Sequence, residues 1–151
     1  TAETRFRMSF LGTWTRKNEF QPVVDDPFTQ ECAGNFGNVY CGNPQPSWKH
    51  SARFTFTDGP ATVSLRWRYL GSATDEEATV DYVVEELDSV NYFDLSVAYD
   101  FNDQFTLTLG VNNLMNKEPQ QLGDNQEQAN TYPGVYDVLG RDFFVAVTGR
   151  F

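Results

Sequence analysis

The sequence predicts an all-β fold, an antiparallel transmembrane β-barrel, and three observations carry that prediction. Six segments of about ten residues place apolar side chains at every second position, with no charged residue on any apolar face. Short turns alternate strictly with loops of more than twenty residues. Aromatic residues gather toward the two ends of the segments rather than along them.

The segments follow one another from the start of the chain to its end. In the first, Phe6, Met8, Phe10, Gly12 and Trp14 oppose Arg5, Arg7, Ser9, Thr13 and Thr15. The second sets Trp48, Ala52, Phe54 and Phe56 against Lys49, Ser51, Arg53, Thr55 and Thr57. Val63, Leu65, Trp67 and Tyr69 alternate with Thr62, Ser64, Arg66 and Arg68 in the third. The fourth turns Phe93, Leu95, Val97, Tyr99 and Phe101 away from Asp94, Ser96, Ala98 and Asp100. Phe105, Leu107, Leu109 and Val111 share a face of the fifth. The last carries Phe143, Val145, Val147, Gly149 and Phe151 opposite Phe144, Ala146, Thr148 and Arg150. A soluble β-sandwich alternates in the same way with its apolar face inward, so periodicity alone does not orient these faces.

The connections and the aromatic residues do. Only Asp58 to Pro60 and Asn102 to Gln104 separate strands two from three and four from five. Residues 18–47, 70–91 and 114–140 form the other links, which places every long loop at one end of the sheet. Compact soluble domains seldom tolerate three such loops, whereas outer-membrane barrels have short periplasmic turns and long extracellular loops. The long-loop rim carries Trp14, Trp48, Trp67 and Tyr69, and the opposite rim Phe6, Phe56, Tyr99, Phe101, Phe105 and Phe151, matching aromatic belts at both interfaces. Lipid then meets the apolar faces, and the lumen meets Arg5, Arg7, Arg53, Arg66, Arg68 and Arg150.

Composition adds limits. The chain of 151 residues has a formal charge of -10, and its longest apolar run, Phe143 to Val147, is five residues, too short for a membrane helix of about 20. The three long loops hold 15 of the 21 acids and a single base, Lys117, so the acidity belongs to an outer surface above a mildly basic wall. Nucleic acid is not expected as a partner, because phosphate binding needs clustered Lys and Arg. Thr1 to Phe6 reads as the inside of a strand rather than as a signal segment.

Catalytic and metal chemistry find little support. The lone His50 has no second His or Cys beside it for zinc and no nucleophile partner, so neither an enzyme nor a cofactor is expected. Cys32 and Cys41, among Gly34, Gly37 and Gly42, read as a loop-closing disulfide in an oxidising compartment, worth about 3 kcal/mol in the chain-entropy picture. The second long loop carries Asp75, Glu76, Glu77, Asp81, Glu85, Glu86 and Asp88 without the spacing of a calcium loop, which reads as a solvated acidic extracellular loop. Within it Val80, Val83, Val84 and Leu87 have helical spacing behind a Thr74/Glu77 capping box, while Val80, Tyr82 and Val84 fit a strand equally well.

Several stretches resemble the C-terminal end of TonB-dependent outer-membrane receptors: Gly110-Val-Asn-Asn-Leu-Met-Asn-Lys-Glu-Pro119, Tyr132 with Pro133, Leu139-Gly-Arg-Asp-Phe-Phe144, and the final Arg150-Phe151. Tyr92-Phe-Asp-Leu-Ser96 and Trp67-Arg-Tyr-Leu-Gly71 are similar to the same family, which often has an aromatic where Met115 stands. The resemblance implies a barrel of about 22 strands around an N-terminal plug, importing scarce nutrients with energy passed on by TonB. It also implies that Phe143, Val145, Val147 and Phe151 form the recognition signal for the barrel-assembly machinery. Nothing here matches the plug or the TonB-contacting box.

Residues 1–151 are therefore expected to form the C-terminal six strands of such a barrel in a Gram-negative outer membrane, since six strands are fewer than the roughly eight of the smallest single-chain barrels. The expected partners are outer-membrane lipid, the rest of the barrel and its plug, the TonB complex, the assembly machinery and a small-molecule nutrient. The resemblance allows an iron chelate, a carbohydrate or a similar cargo, and the residues that bind it are not legible. Acidic outer loops favour a neutral or cationic cargo. A passive porin and a soluble β-sandwich binding module are the competing readings.

Overall fold

The computed structural model describes residues 4–77 and 79–150. Among them are strands and no helices: β1 (Arg5–Trp14), β2 (Glu19–Phe20), β3 (Gln30–Glu31), β4 (Asn35–Phe36), β5 (Trp48–Asp58), β6 (Ala61–Leu70), β7 (Ala73–Asp75), β8 (Glu86–Leu87), β9 (Val90–Asp100), β10 (Phe105–Asn112) and β11 (Asp142–Gly149). The six long strands form one antiparallel up-and-down sheet in the order β1-β5-β6-β9-β10-β11. They coincide with the six periodic segments, β9 beginning a little earlier than its apolar alternation because Val90 and Tyr92 lie on the other face. The sheet is open, with β1 and β11 each paired on one side only.

Turn chemistry fixes the register. Asp58 pairs with Ala61 across a two-residue loop, Gly59-Pro60. Gly59 has a φ of 55°, and Pro60 cannot follow it into positive φ, so the loop is the type that needs glycine at its first central position. At the other short turn, Asn102 Oδ1 accepts from the backbone N–H groups of Gln104 and Phe105, both at 2.9 Å. With these registers, Phe6, Phe56, Val63, Val97, Leu109 and Val145 fall in one row across all six strands. Met8, Phe54, Leu65, Leu95, Val111 and Phe143 form the next row.

That apolar face is uncovered. Even on central strands Phe56 is 47% and Leu109 50% exposed. A continuous apolar face of this extent needs lipid or a partner surface. Segregation is less strict on the opposite face, where Leu11 and Phe144 stand among the polar residues. Phe144 has a place there because Gly110, its register partner, leaves room for the ring; a Cβ on Gly110 would collide with it.

The long loops fold over the arginine-bearing face and share one core. Phe36, Ala73, Leu87, Val90, Tyr92, Leu122, Tyr132 and Tyr136 are buried together, drawn from all three loops and the top of β9. Phe36 meets Tyr132 edge-on at 5.7 Å between centroids. Around this core β2 pairs with β3, and β4 pairs with β7, which pairs with β8.

Two expectations for the second loop are corrected here. The Val80–Leu87 stretch forms neither a helix nor a long strand; only Glu86–Leu87 is extended, paired with Ala73 and Thr74. Leu87 is drawn into the shared core instead of forming an apolar helical stripe. Nor is the whole acidic run solvated. Asp75 and Glu76 turn inward because unpaired backbone and amide N–H groups of the other loops await them.

Candidate functional site: the arginine wall and the loop cap

The wall is built from alternate residues of β1, β5, β6 and β9. Arg5 and Arg7 lie on the edge strand β1 opposite Thr57 and Thr55. Arg53 and Arg66 are register partners on neighbouring strands. Arg53 Nη1 donates to Ser64 Oγ at 3.3 Å and Arg66 Nε to Ser51 Oγ at 3.2 Å. Like charges placed opposite one another repel, and these hydroxyls offer no countercharge. Arg150 stands at the opposite rim, its backbone N–H donating to Gln104 O at 2.9 Å.

Arg68 is the exception on this wall. Its Nε and Nη2 donate to the two oxygens of Asp94 at 2.9 and 3.0 Å, the paired geometry in which guanidinium and carboxylate interact best. Asp94 Oδ1 also accepts from the backbone of Asn113 at 2.9 Å. Asp137 of the third loop approaches Arg68 at 3.6 Å, and the guanidinium lies 4.9 Å from the centre of the Tyr92 ring. The Asp137 N–H donates to the Tyr92 hydroxyl at 3.1 Å. Arg68 and Tyr92 thereby tie the loop cap to the barrel wall.

Cys32 and Cys41 form a disulfide with their Cα atoms 5.3 Å apart. Glu76 sits against that ring: Oε1 accepts from Val39 N at 2.8 Å and Tyr40 N at 2.9 Å, and Oε2 from Tyr40 N at 3.1 Å and Cys41 N at 2.6 Å. The sulfurs are consumed in the bridge, so their proximity to Glu76 makes no metal site.

Asp75 accepts from Glu77 N at 2.8 Å and from the Asn125 side chain. Burial raises its carboxyl above the usual range, against the lowering pull of these hydrogen bonds. Glu77 accepts from the Tyr82 hydroxyl at 2.9 Å, which pushes that phenol up to about 12. Burial pushes Tyr132 and Tyr136 up to about 12 as well. Asp81, Glu85, Glu86 and Asp88 remain on the exposed side of the loop.

His50 belongs to the aromatic rim on the apolar face. It accepts at Nδ1 from Trp48 Nε1 at 3.1 Å, stacks on Tyr69 at 5.1 Å and meets Trp67 edge-on at 4.5 Å. Phe143, Val145 and Val147 of β11 all face outward on the exposed apolar side. Phe151 lies outside the described residues.

The structure thus brings Arg53, Arg66 and Arg68 together on one wall and joins Cys32, Cys41 and Glu76 in one loop assembly. Arg5 and Arg7 continue the same face on the edge strand β1, and Arg150 stands at the opposite rim. Asn113, Asn125, Tyr92 and Asp137 complete the contacts, and sequence reasoning gave none of them a role in the site, although Tyr92 and Asn113 lie in the stretches that carry the resemblance. Of these only Asn113 carried a local signal. It adopts a φ of 49°, which asparagine tolerates better than most residues.

A family model described as TonB dependent receptor-like, beta-barrel, matches residues 3–114. No curated protein and no solved structure gives a match.

Proposed function

The chain belongs to the TonB-dependent receptor β-barrel family, and on that premise we propose that it supplies closing strands and outer loops of an active-transport receptor for a scarce nutrient in a Gram-negative outer membrane. The observation that carries the reading is the opposite use of the two sheet faces. One is uncovered and apolar across six strands, while the other bears arginines and is roofed by the chain's own loops. A soluble sandwich would pack a second layer against the apolar face; among the described residues nothing does so.

The open edges support the same reading. In hydrocarbon an unpaired strand edge costs several kcal/mol for each unsatisfied group, so β1 and β11 call for neighbouring strands. The rest of the barrel would supply them, with a plug domain meeting the arginine wall. A roofed lumen favours gated uptake over the passive porin.

Uptake measured in cells that express the full-length receptor tests this. Accumulation of its nutrient should require both the receptor and TonB. Uptake that persists undiminished without TonB would replace this reading with the passive porin.

A further inference from the structure

We propose that the recess where the third long loop meets the top of the arginine wall is a binding site for a small aromatic carboxylate, an inference that rests on the receptor function proposed above and names its substrate class. The recess measures about 250 Å³. A cavity of about 150 Å³ takes benzene, so this one has room for such a ring with a carboxylate-bearing arm. Leu11, Leu70 and Val135 give it an apolar side, and Lys49 and Arg66 a basic one.

Strand register builds this recess. Thr13, Lys49 and Leu70 stand in one row across β1, β5 and β6, and Leu11, Ser51 and Arg68 in the next row on the same face. Arg66 follows two residues farther down β6, its Nε donating to Ser51 Oγ at 3.2 Å. The roof side is fixed as well. Val135 lies two residues from Asp137, whose N–H donates to the Tyr92 hydroxyl at 3.1 Å and whose carboxylate approaches Arg68 at 3.6 Å.

Two independent features of the lining point to a ligand. Leu11 breaks the polarity of its face of β1, where Arg5, Arg7, Ser9 and Thr13 are all polar, and it is 73% exposed. Covering it with an apolar group is favourable. Lys49 and Arg66 make no ion pair among the described residues. With Nε on Ser51, the Nη groups of Arg66 have no hydrogen-bond partner among the described residues either. Arg68 does not compete for a ligand, because Asp94 and Asp137 already engage it.

Charge selects the ligand's polar end. Lys49, Arg66 and Arg68 set three positive charges against the two carboxylates of Asp94 and Asp137, which leaves one positive charge in excess. A monoanion balances it, a cation is repelled, and a neutral ring leaves Lys49 and Arg66 unanswered. A carboxylate also matches the free edge of the Arg66 guanidinium. Acidity of the outer loops by itself favours a neutral or cationic cargo, but among the described residues no carboxylate lines this recess, so the local excess decides. The ring of the ligand then lies against Leu11, Leu70 and Val135, where a sugar or a bare carboxylate would leave the apolar side uncovered.

The test uses the full-length receptor in lipid nanodiscs, titrated by calorimetry and saturation-transfer NMR with benzoate and trans-cinnamate. Benzyl alcohol supplies the ring without the charge, acetate the charge without the ring, and benzylamine the opposite charge. At least one of the two acids should bind, and each comparator should bind at least about tenfold more weakly. Arg66→Gln should weaken the acid about tenfold or more, the worth of a hydrogen bond to a charged group. Leu11→Ser should weaken it about fourfold, the worth of one buried methylene group. Arg150→Gln, at the opposite rim, should leave it unchanged. Leu11 is exposed, so Leu11→Ser should melt with the parent and decides the matter should Arg66→Gln fail to fold. The inference is overturned if neither acid binds, if benzyl alcohol or acetate binds as tightly as the acids, or if a folded Arg66→Gln or Leu11→Ser keeps the parent's affinity. Membrane insertion and TonB-dependent uptake are measured in parallel. A receptor that inserts and transports yet binds neither acid overturns this inference alone; one that does not insert overturns the receptor function as well.

Discussion

Glu76 holds Cys41 from the other side of the disulfide: its Oε2 lies 2.6 Å from the Cys41 backbone nitrogen, so one ring is closed covalently and clamped by an anion from a different loop. Glu76→Ala leaves Tyr40 N and Cys41 N without their acceptor in a partly buried setting, a loss of about 1–3 kcal/mol in the stability of the loop cap. Glu76→Gln should lose less, because its amide oxygen still accepts. Removing the disulfide with Cys32→Ser and Cys41→Ser should cost about 3 kcal/mol. The two effects should combine to less than their sum, since both restrain residues 32–41. Hydrogen exchange of those amides measures each.

Leu65 and Arg66 are adjacent and point to opposite sides of the sheet. Leu65→Arg places a guanidinium in lipid at about 2–4 kcal/mol near the midplane and should block insertion, while Arg66→Leu should leave it intact. Outer-membrane fractionation with heat-modifiability reads both variants. Equal assembly of the two would overturn the assignment of faces.

The doubly bonded Arg68 and Asp94 predict an asymmetry along the wall. Asp94→Ala strips Arg68 of its main countercharge and should destabilise the barrel by about 2–3 kcal/mol, as expected for hydrogen bonds to charged groups. Arg53→Gln removes only a 3.3 Å contact with Ser64 and should change stability little. Urea unfolding of the reconstituted receptor compares them.

Alkaline pH should open the loop cap. Tyr132 and Tyr136, ordinarily near 10, are pushed up to about 12 by burial. Both are protonated below pH 10 in the folded and unfolded chain alike, so stability is unaffected there. Above it the unfolded chain ionises first, and the cap loses roughly 1.4 kcal/mol for each tyrosine and each pH unit until the folded value is reached. Protease sensitivity of residues 120–137 should rise from about pH 10, and Tyr132→Phe should reduce that rise. A cap that stays closed with both phenols ionised, read from tyrosinate absorbance, would contradict the assignment.

What was legible in the sequence was whatever repeats at short range. Leu65 beside Arg66 shows the face parity because strand geometry forces neighbours apart, and Gly59-Pro60 shows the hairpin because few residues make that turn. The Glu76 clamp was not legible: it lies 35 residues from Cys41, and no periodicity links a carboxylate to amides of another loop. The same holds for Phe36, Leu87 and Tyr132, single apolar residues in polar stretches whose burial depends on three loops meeting. Val80 to Leu87 misled because alternation within a loop obeys neither strand nor helix spacing once Leu87 is claimed by that meeting. Asp94 was legible as a wall residue, but its partner Asn113, and Asp137 that approaches Arg68, arrive from beyond β10.

The Phe36 to Tyr132 contact has a mechanical consequence. Because the first and third loops share one buried core with the second, the roof behaves as a small cooperative unit rather than as three independent tethers. Displacing any one loop must break packing in the other two, so the energetic threshold for moving it is set in part by residues of its neighbours.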